Sequence, residues 1–256
     1  MSTFVLVPGA CLGAWAWEAV AADLAARGHR AVPLTLAGLA ERAGADGPEP
    51  ELLTHIAEIE AAIDAEYAED AEPVVLVAHS YGIFPALAAA DRLPSRVSRV
   101  VFVDCPIPED GESALDQLFQ ADPVRHAEVG EHGLSVGPIA ELLASGMLAG
   151  VPEAEAARYE RLATTHPRLT LSQPVPLTGA WRVLPTTGVF CLGNGLSIEL
   201  ARALHATGAP RFAKLAEPGV TFFELPTGHH PMLSMPAELT DVLVRAAAGE
   251  GRGLHD

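Results

Sequence analysis

The sequence predicts an α/β fold: a mostly parallel sheet of about six strands, helices on both faces, and a helical insert over one edge. Three observations carry that expectation. Short apolar runs closed by turn residues alternate with stretches whose apolar residues recur at helical spacing, as in strand–helix–strand crossovers. The rhythm stops between Pro106 and about Leu184 and then resumes, which marks an insert too long for a plain connection. Finally, 256 residues with 49% hydrophobic side chains can fill the core of one large domain.

In chain order, Phe4–Val7 is an apolar run stopped by Pro8-Gly9, a buried strand. Trp17, Val20 and Leu24 share one face of a helix over Trp15–Arg27, ended by Gly28. Arg30–Leu36 is a second strand, and residues 37–50, rich in Gly, Ala, Glu and Pro, form a surface loop. Leu52, Ile56, Ile59 and Ile63 put an apolar stripe on a helix ending near Tyr67. Val74–Val77 is the third strand. It feeds a helix through Ser80 to about Arg92, and Val97–Val103 is the fourth strand. The insert, about 106–184, holds helical pieces at Ala114–Gln120, Ile139–Ala144 and Glu153–Ala163. A strand near Val189–Leu192, a helix near Ile198–Ala206, a strand at Val220–Leu225 and a helix from Ala237 to about Ala248 follow. The tail Gly249–Asp256 reads as loose. The insert is expected to cap the C-terminal edge of the sheet, where open α/β sheets bind ligands, within a single domain spanning 1–256.

Charge excludes several partners. With 33 acidic and 16 basic residues the formal net charge is -17, which repels nucleic acid and anionic membranes. No apolar run approaches the length of a membrane span, and the first residues lack the basic start and cleavage site of a signal peptide. Cys11, Cys105 and Cys191 are too far apart for a zinc site and read as reduced, buried thiols of a cytoplasmic protein. The expected partner is a small molecule, with no metal or organic cofactor.

Chemistry concentrates in three stretches. In VVLVAHSYG a strand runs into a serine flanked two residues away by Ala78 and Gly82. Strand, sharp turn bearing Ser80, then helix is the arrangement that exposes Oγ at a helix N-terminus; the small neighbours leave room for the chain to turn back. An ordinary Ser N-cap is the competing explanation. In LVPGACLGAWAW, the Pro-Gly turn after the first strand can aim the N–H of Ala10 at the space faced by the N–H of Tyr81, a pair of oxyanion donors. In ELPTGHHPMLSMP, His229 lies in a loop after the last strand, where it can reach Ser80 as general base.

These stretches resemble the α/β-hydrolase superfamily, and within it the branch of plant hydroxynitrile lyases, plant methyl-ester esterases and their bacterial relatives. VFVDCPIPEDGES and RLTLSQPVPL add to the likeness, which spans nearly the whole chain. The resemblance implies Ser80 as nucleophile, His229 as base, and Ala10 and Tyr81 as oxyanion donors.

Two departures stand out. The branch places an aspartate after the next-to-last strand, where this chain reads Cys191-Leu192-Gly193-Asn194. Asn194 can hold an imidazole but cannot neutralise an imidazolium; in another serine triad, aspartate to asparagine in this role costs about 10⁴ in turnover. Asp104, which ends the strand after the serine unit, is the best substitute carboxylate, although it can equally be structural. Glu199 and Glu224 read as surface charge. The second departure is His230, where the esterases carry an apolar residue and the lyases a lysine; the lyases also carry threonine where this chain has Gly9. His230 either points into the pocket to bind a polar group or relay a proton, or faces solvent. Trp15 and Trp17 are expected to pack the first helix, and His126, His132, His166 and His205 to lie at the surface.

The function expected is serine-dependent hydrolysis of a small, largely apolar carboxylic ester through an acyl-enzyme. Leu118, Phe119, Met147, Leu148 and Trp181 of the insert would supply the apolar pocket. The alternative, motivated by Asn194 and His230, is a lyase- or cyclase-type step on a carbonyl compound at the same site. A third reading is a ligand-binding protein on a decayed hydrolase site.

Overall fold

The computed structural model describes residues 1–45, 47–67, 72–119 and 129–256. Among the described residues eight strands run in chain order: β1 (Thr3–Val7), β2 (Arg30–Pro33), β3 (Val74–His79), β4 (Val97–Val103), β5 (Val129–Gly130), β6 (Gly133–Leu134), β7 (Thr186–Cys191) and β8 (Val220–Leu225). Six of them form one sheet in the order β2-β1-β3-β4-β7-β8, and every pairing in it is parallel. The short β5 and β6 pair separately as an antiparallel hairpin, in the stretch that leaves the sheet after β4 and returns at β7.

The pleat explains why the central strands are apolar throughout. Successive side chains face opposite sides, and in a parallel sheet both sides are covered. Val5, Val7, Leu76, Ala78, Val100 and Phe102 face one cluster with Ile56 and Ile59 of α2 (Leu52–Glu66) and Leu87 of α3 (Ile83–Arg92). Phe4, Leu6, Val75, Val77, Val101 and Val103 face a second, with Val20 and Leu24 of α1 (Glu18–Ala26) and Leu239 and Val242 of the last helix, Pro236–Ala247.

Local departures from expectation have local causes. Ala14–Trp17 forms a 3₁₀ turn, so α1 starts at Glu18. Trp15 and Trp17 are both buried, as expected, and residues two apart cannot share one face of an α-helix. The second strand spans Arg30–Pro33 instead of reaching Leu36; beyond it the Leu34 N–H still donates to the Leu6 carbonyl of β1 (3.0 Å). The expected helix at Ala114–Gln120 is a π-helical turn over Leu115–Phe119, and Gln120 falls outside the described residues. The helix Arg168–Ser172 and the β5–β6 hairpin are too short to leave a periodic signal. The tail is not loose. Arg252 and Phe222 exchange backbone hydrogen bonds of 3.1 and 2.8 Å, and Leu254 is buried. β8 is an edge strand, and its unpaired backbone groups are what the tail satisfies.

Candidate active site

The carboxyl ends of β1, β3, β4, β7 and β8 converge on one region. From β1 the chain goes outward to β2, then passes back over β1 to β3; the order reverses there, and that reversal opens a crevice at the carboxyl end. Among the described residues four non-glycine residues have positive φ: Cys11 (67°), Ala40 (45°), Ser80 (51°) and Asp104 (51°). Three of the four stand just past the ends of β1, β3 and β4. Each such backbone costs about 1–2 kcal/mol, and strain of this kind clusters at functional sites.

The serine turn is built by close approach. Ser80 follows β3 directly, and Ser80–Gly82 make a 3₁₀ turn into α3. A Cβ on Gly82 would lie 2.6 Å from the Pro8 carbonyl oxygen, and one on Gly9 would lie 2.6 Å from His79 Nδ1 and 3.0 Å from Ser80 Cβ. The turn after β1 and the turn after β3 therefore lock together only with glycine on each side. That contact holds Gly9, the residue before Ala10, against the serine. Tyr81 N–H falls in the first turn of its helix, where an N–H lacks an intrahelical acceptor. Tyr81 itself is buried, its hydroxyl 2.9 Å from His55 Nδ1.

His229 Nε2 lies 3.0 Å from Ser80 Oγ, and His229 Nδ1 lies 2.6 Å from Asp104 Oδ2. An ionised carboxylate only accepts, so Nδ1 carries the proton and Nε2 is left to accept from the serine hydroxyl. Asp104 also accepts from the Cys191 N–H at Oδ1 (3.0 Å) and from Asn194 Nδ2 at Oδ2 (2.8 Å). Asn194 Nδ2 is 3.4 Å from His229 Nδ1, so the amide steadies the carboxylate while the carboxylate faces the ring. Glu224 instead accepts from the Ile198 N–H and pairs with Arg252, and Glu199 is exposed.

His230 is buried and does not face solvent. It donates from Nδ1 to the Met147 carbonyl (3.1 Å), and its ring lies 5.3 Å from that of His79 and 5.4 Å from that of Tyr159. The backbone N–H of Trp181 donates to Asp91 Oδ1 (2.9 Å), and Trp181 lines a cavity of about 240 Å³ with Phe102, Cys105, Phe190, Leu200 and Phe212. Of the other expected pocket residues, Leu148 is buried in the second core cluster, Leu118 packs on the first, and the side chain of Phe119 falls outside the described set. All three cysteines are buried and in no disulfide; burial, then the charge of Asp104, pushes Cys105 and Cys191 up.

His166 corrects an expectation. It is fully buried, not at the surface, because it bridges Leu134 across the hairpin and packs on Tyr81. His132 is exposed and His205 half-buried; His126 lies outside the described residues. The buried histidines 55 and 166 carry no motif, and nothing in the sequence separates them from surface ones; His79, also buried, precedes Ser80 in the serine turn. Burial lowers the pKa of all three below 6.5, with neighbouring histidines adding to the shift at His79 and His166. An unfolded chain would protonate them near 6.5. The stability they leave intact above that pH is lost as pH falls below it toward the folded-state values, by up to about 1.4 kcal/mol per pH unit for each ring. Urea unfolding should therefore show a markedly lower midpoint near pH 5.5 than near pH 7.5. Equal midpoints would contradict neutral burial.

A parallel α/β sheet with a strained serine turn and a hydrogen-bonded imidazole at its carboxyl edge defines the class of α/β hydrolases. The family model described as the alpha/beta hydrolase family matches residues 4–242, and the chain belongs to that family. It is an esterase-like enzyme of the family. It is 31% identical over 256 residues to the carbendazim hydrolyzing esterase of Nocardioides sp. (strain SG-4G), covering 95% of this chain and 98% of that one. Methyl jasmonate esterase 1 of Vitis vinifera is 37% identical over 107 residues, 41% of this chain and 40% of the relative. The fold is shared with polyneuridine aldehyde esterase (TM-score 0.75, 17% identity, 96% of this chain and 99% of that one). It is also shared with tomato methylketone synthase I (TM-score 0.74, 19% identity, 96% and 98%). No helix among the described residues is long and apolar enough to cross a membrane.

Proposed function

We propose that the chain hydrolyses a small, largely apolar carboxylic ester through an acyl-enzyme on Ser80. The observation that carries this reading is the continuous chain of hydrogen bonds from Ser80 Oγ through His229 to Asp104. His229 takes the serine proton as Oγ attacks the carbonyl, and the imidazolium so formed is balanced by Asp104. The N–H groups of Ala10 and Tyr81 receive the oxyanion. His229 then returns the proton to the leaving alcohol, and water repeats the sequence to free the acid. The stretch 106–184 serves as a cap over this edge. The relatives named as methylesterases and as a methyl jasmonate esterase favour a methyl or similarly small alcohol portion.

Two observations support hydrolysis over the non-hydrolytic alternative. Asp104 supplies the charge that Asn194 lacks, and His230 is bonded to a backbone carbonyl. Gly9 also leaves no room for the threonine of the lyases, since even a Cβ there would meet His79 at 2.6 Å.

A fluorophosphonate probe is expected to add one adduct by intact mass, lost in Ser80→Ala and strongly slowed in His229→Ala. A folded wild-type protein that never reacts with the probe overturns the mechanism.

A further inference from the structure

We propose that His166 is a positioning residue for the oxyanion hole, tying the turn that carries Ala10 and the ring of Tyr81 to the segment between β4 and β7. This rests on the serine-esterase reading above and adds a residue to it.

The links are specific. The Cys11 N–H donates to His166 Nδ1 (3.1 Å) and the Thr164 N–H donates to the Cys11 carbonyl (3.0 Å). The Cys11 Sγ lies 3.6 Å from the Leu134 carbonyl oxygen. Leu134 and His166 in turn exchange backbone bonds of 3.0 and 2.9 Å. Residue 11 is thus held at its N–H, its carbonyl and its side chain, all from one segment, in a backbone conformation (φ 67°) that it would not keep unaided. The residue so held directly follows Ala10. On the other arm, the His166 ring meets the Tyr81 ring edge-on, centroids 4.2 Å apart at 69°, while His55 holds the Tyr81 hydroxyl.

The chemistry requires this ring in one form. An N–H needs a lone pair, so Nδ1 must be unprotonated, and full burial keeps the ring neutral. The titratable groups that face it are His55, Tyr81 and the Cys11 thiol. Gly133 shows how tightly the hairpin is fitted: a Cβ there would sit 1.9 Å from the His166 carbonyl oxygen. An oxyanion donor works only when aimed at the developing charge, and a misplacement of about 1 Å can cost about 10² in rate. A small shift of the Cys11 backbone is therefore read out in turnover and not in substrate binding.

The test compares His166→Leu with His166→Asn on p-nitrophenyl butyrate. The amide oxygen of asparagine can stand where Nδ1 stands and accept the Cys11 N–H; leucine cannot. We expect His166→Leu to lower kcat by about 10- to 100-fold with KM nearly unchanged, and His166→Asn to recover most of that loss. A trifluoromethyl ketone, bound as an anionic hemiketal, should weaken by the same factor in His166→Leu, while the matching methyl ketone does not. Wild-type kcat in a folded His166→Leu, equal losses in both variants, or equal weakening of the two ketones would each overturn the proposal. Wild-type protein that fails to turn over ester would overturn the esterase reading instead. Should neither variant fold, ¹⁵N-labelled wild type decides: a through-hydrogen-bond coupling between the Cys11 amide and His166 Nδ1 supports the proposal, and its absence with rapid exchange of that amide overturns it.

Discussion

Asp104→Asn is expected to lower kcat by about four orders of magnitude, with the fold retained. The carboxylate accepts from three donors: Cys191 N–H at one oxygen, Asn194 Nδ2 and His229 Nδ1 at the other. An asparagine has one oxygen and one NH₂ group. If the NH₂ faces Cys191, two donors meet. If it faces His229, the ring must turn its lone pair toward residue 104 and present a proton to Ser80, the wrong tautomer for a base. Either way the imidazolium loses its counter-charge. Asn194→Ala removes one donor to a carboxylate that keeps two and should cost only about tenfold. Asn194→Asp imitates the sequence pattern of the family branch, yet it should not accelerate the enzyme. It would set a second carboxylate 2.8 Å from the first, and two such groups cannot both ionise readily. Steady-state kinetics of the three variants check this; a near-normal Asp104→Asn, or a faster Asn194→Asp, would move the acid to position 194.

Gly9→Ala should cost about 10² in kcat while sparing most of the stability. The new Cβ would meet His79 Nδ1 at 2.6 Å and Ser80 Cβ at 3.0 Å. His79 is fully packed and is itself pinned by its Nε2–H to the His229 carbonyl (2.8 Å). The ring cannot retreat without moving the histidine loop, and Ser80 cannot retreat without moving the turn. Whichever gives way, the distance from His229 to Ser80 opens. Kinetics with a melting curve on the same sample separate a displaced site from a destabilised fold; unchanged kcat would show that the contact relaxes freely.

Much of this was legible in the sequence because it is written in local patterns. The apolar runs of β1, β3, β4 and β8, the helical stripe of α2, and the flanking small residues of Ser80 are properties of neighbouring residues, and backbone sterics or burial translate them directly into strands, a helix and a tight turn. His229 was legible for the same reason, as a loop residue at the end of the last strand. His166 was misjudged because a side chain's surroundings are set by what packs on it. No local feature says that His166 reaches across 155 residues to Cys11. The partner of His229 Nδ1 is the clearest case. The sequence supplied both Asp104 and Asn194 and left the choice open. Only the sheet order, which sets β4 against β7 and β7 against β8, puts the carboxylate of one on the ring of His229 and the amide of the other on that carboxylate. Hydrogen-bond partners separated by dozens of residues are fixed by strand adjacency, and adjacency is a property of the folded sheet.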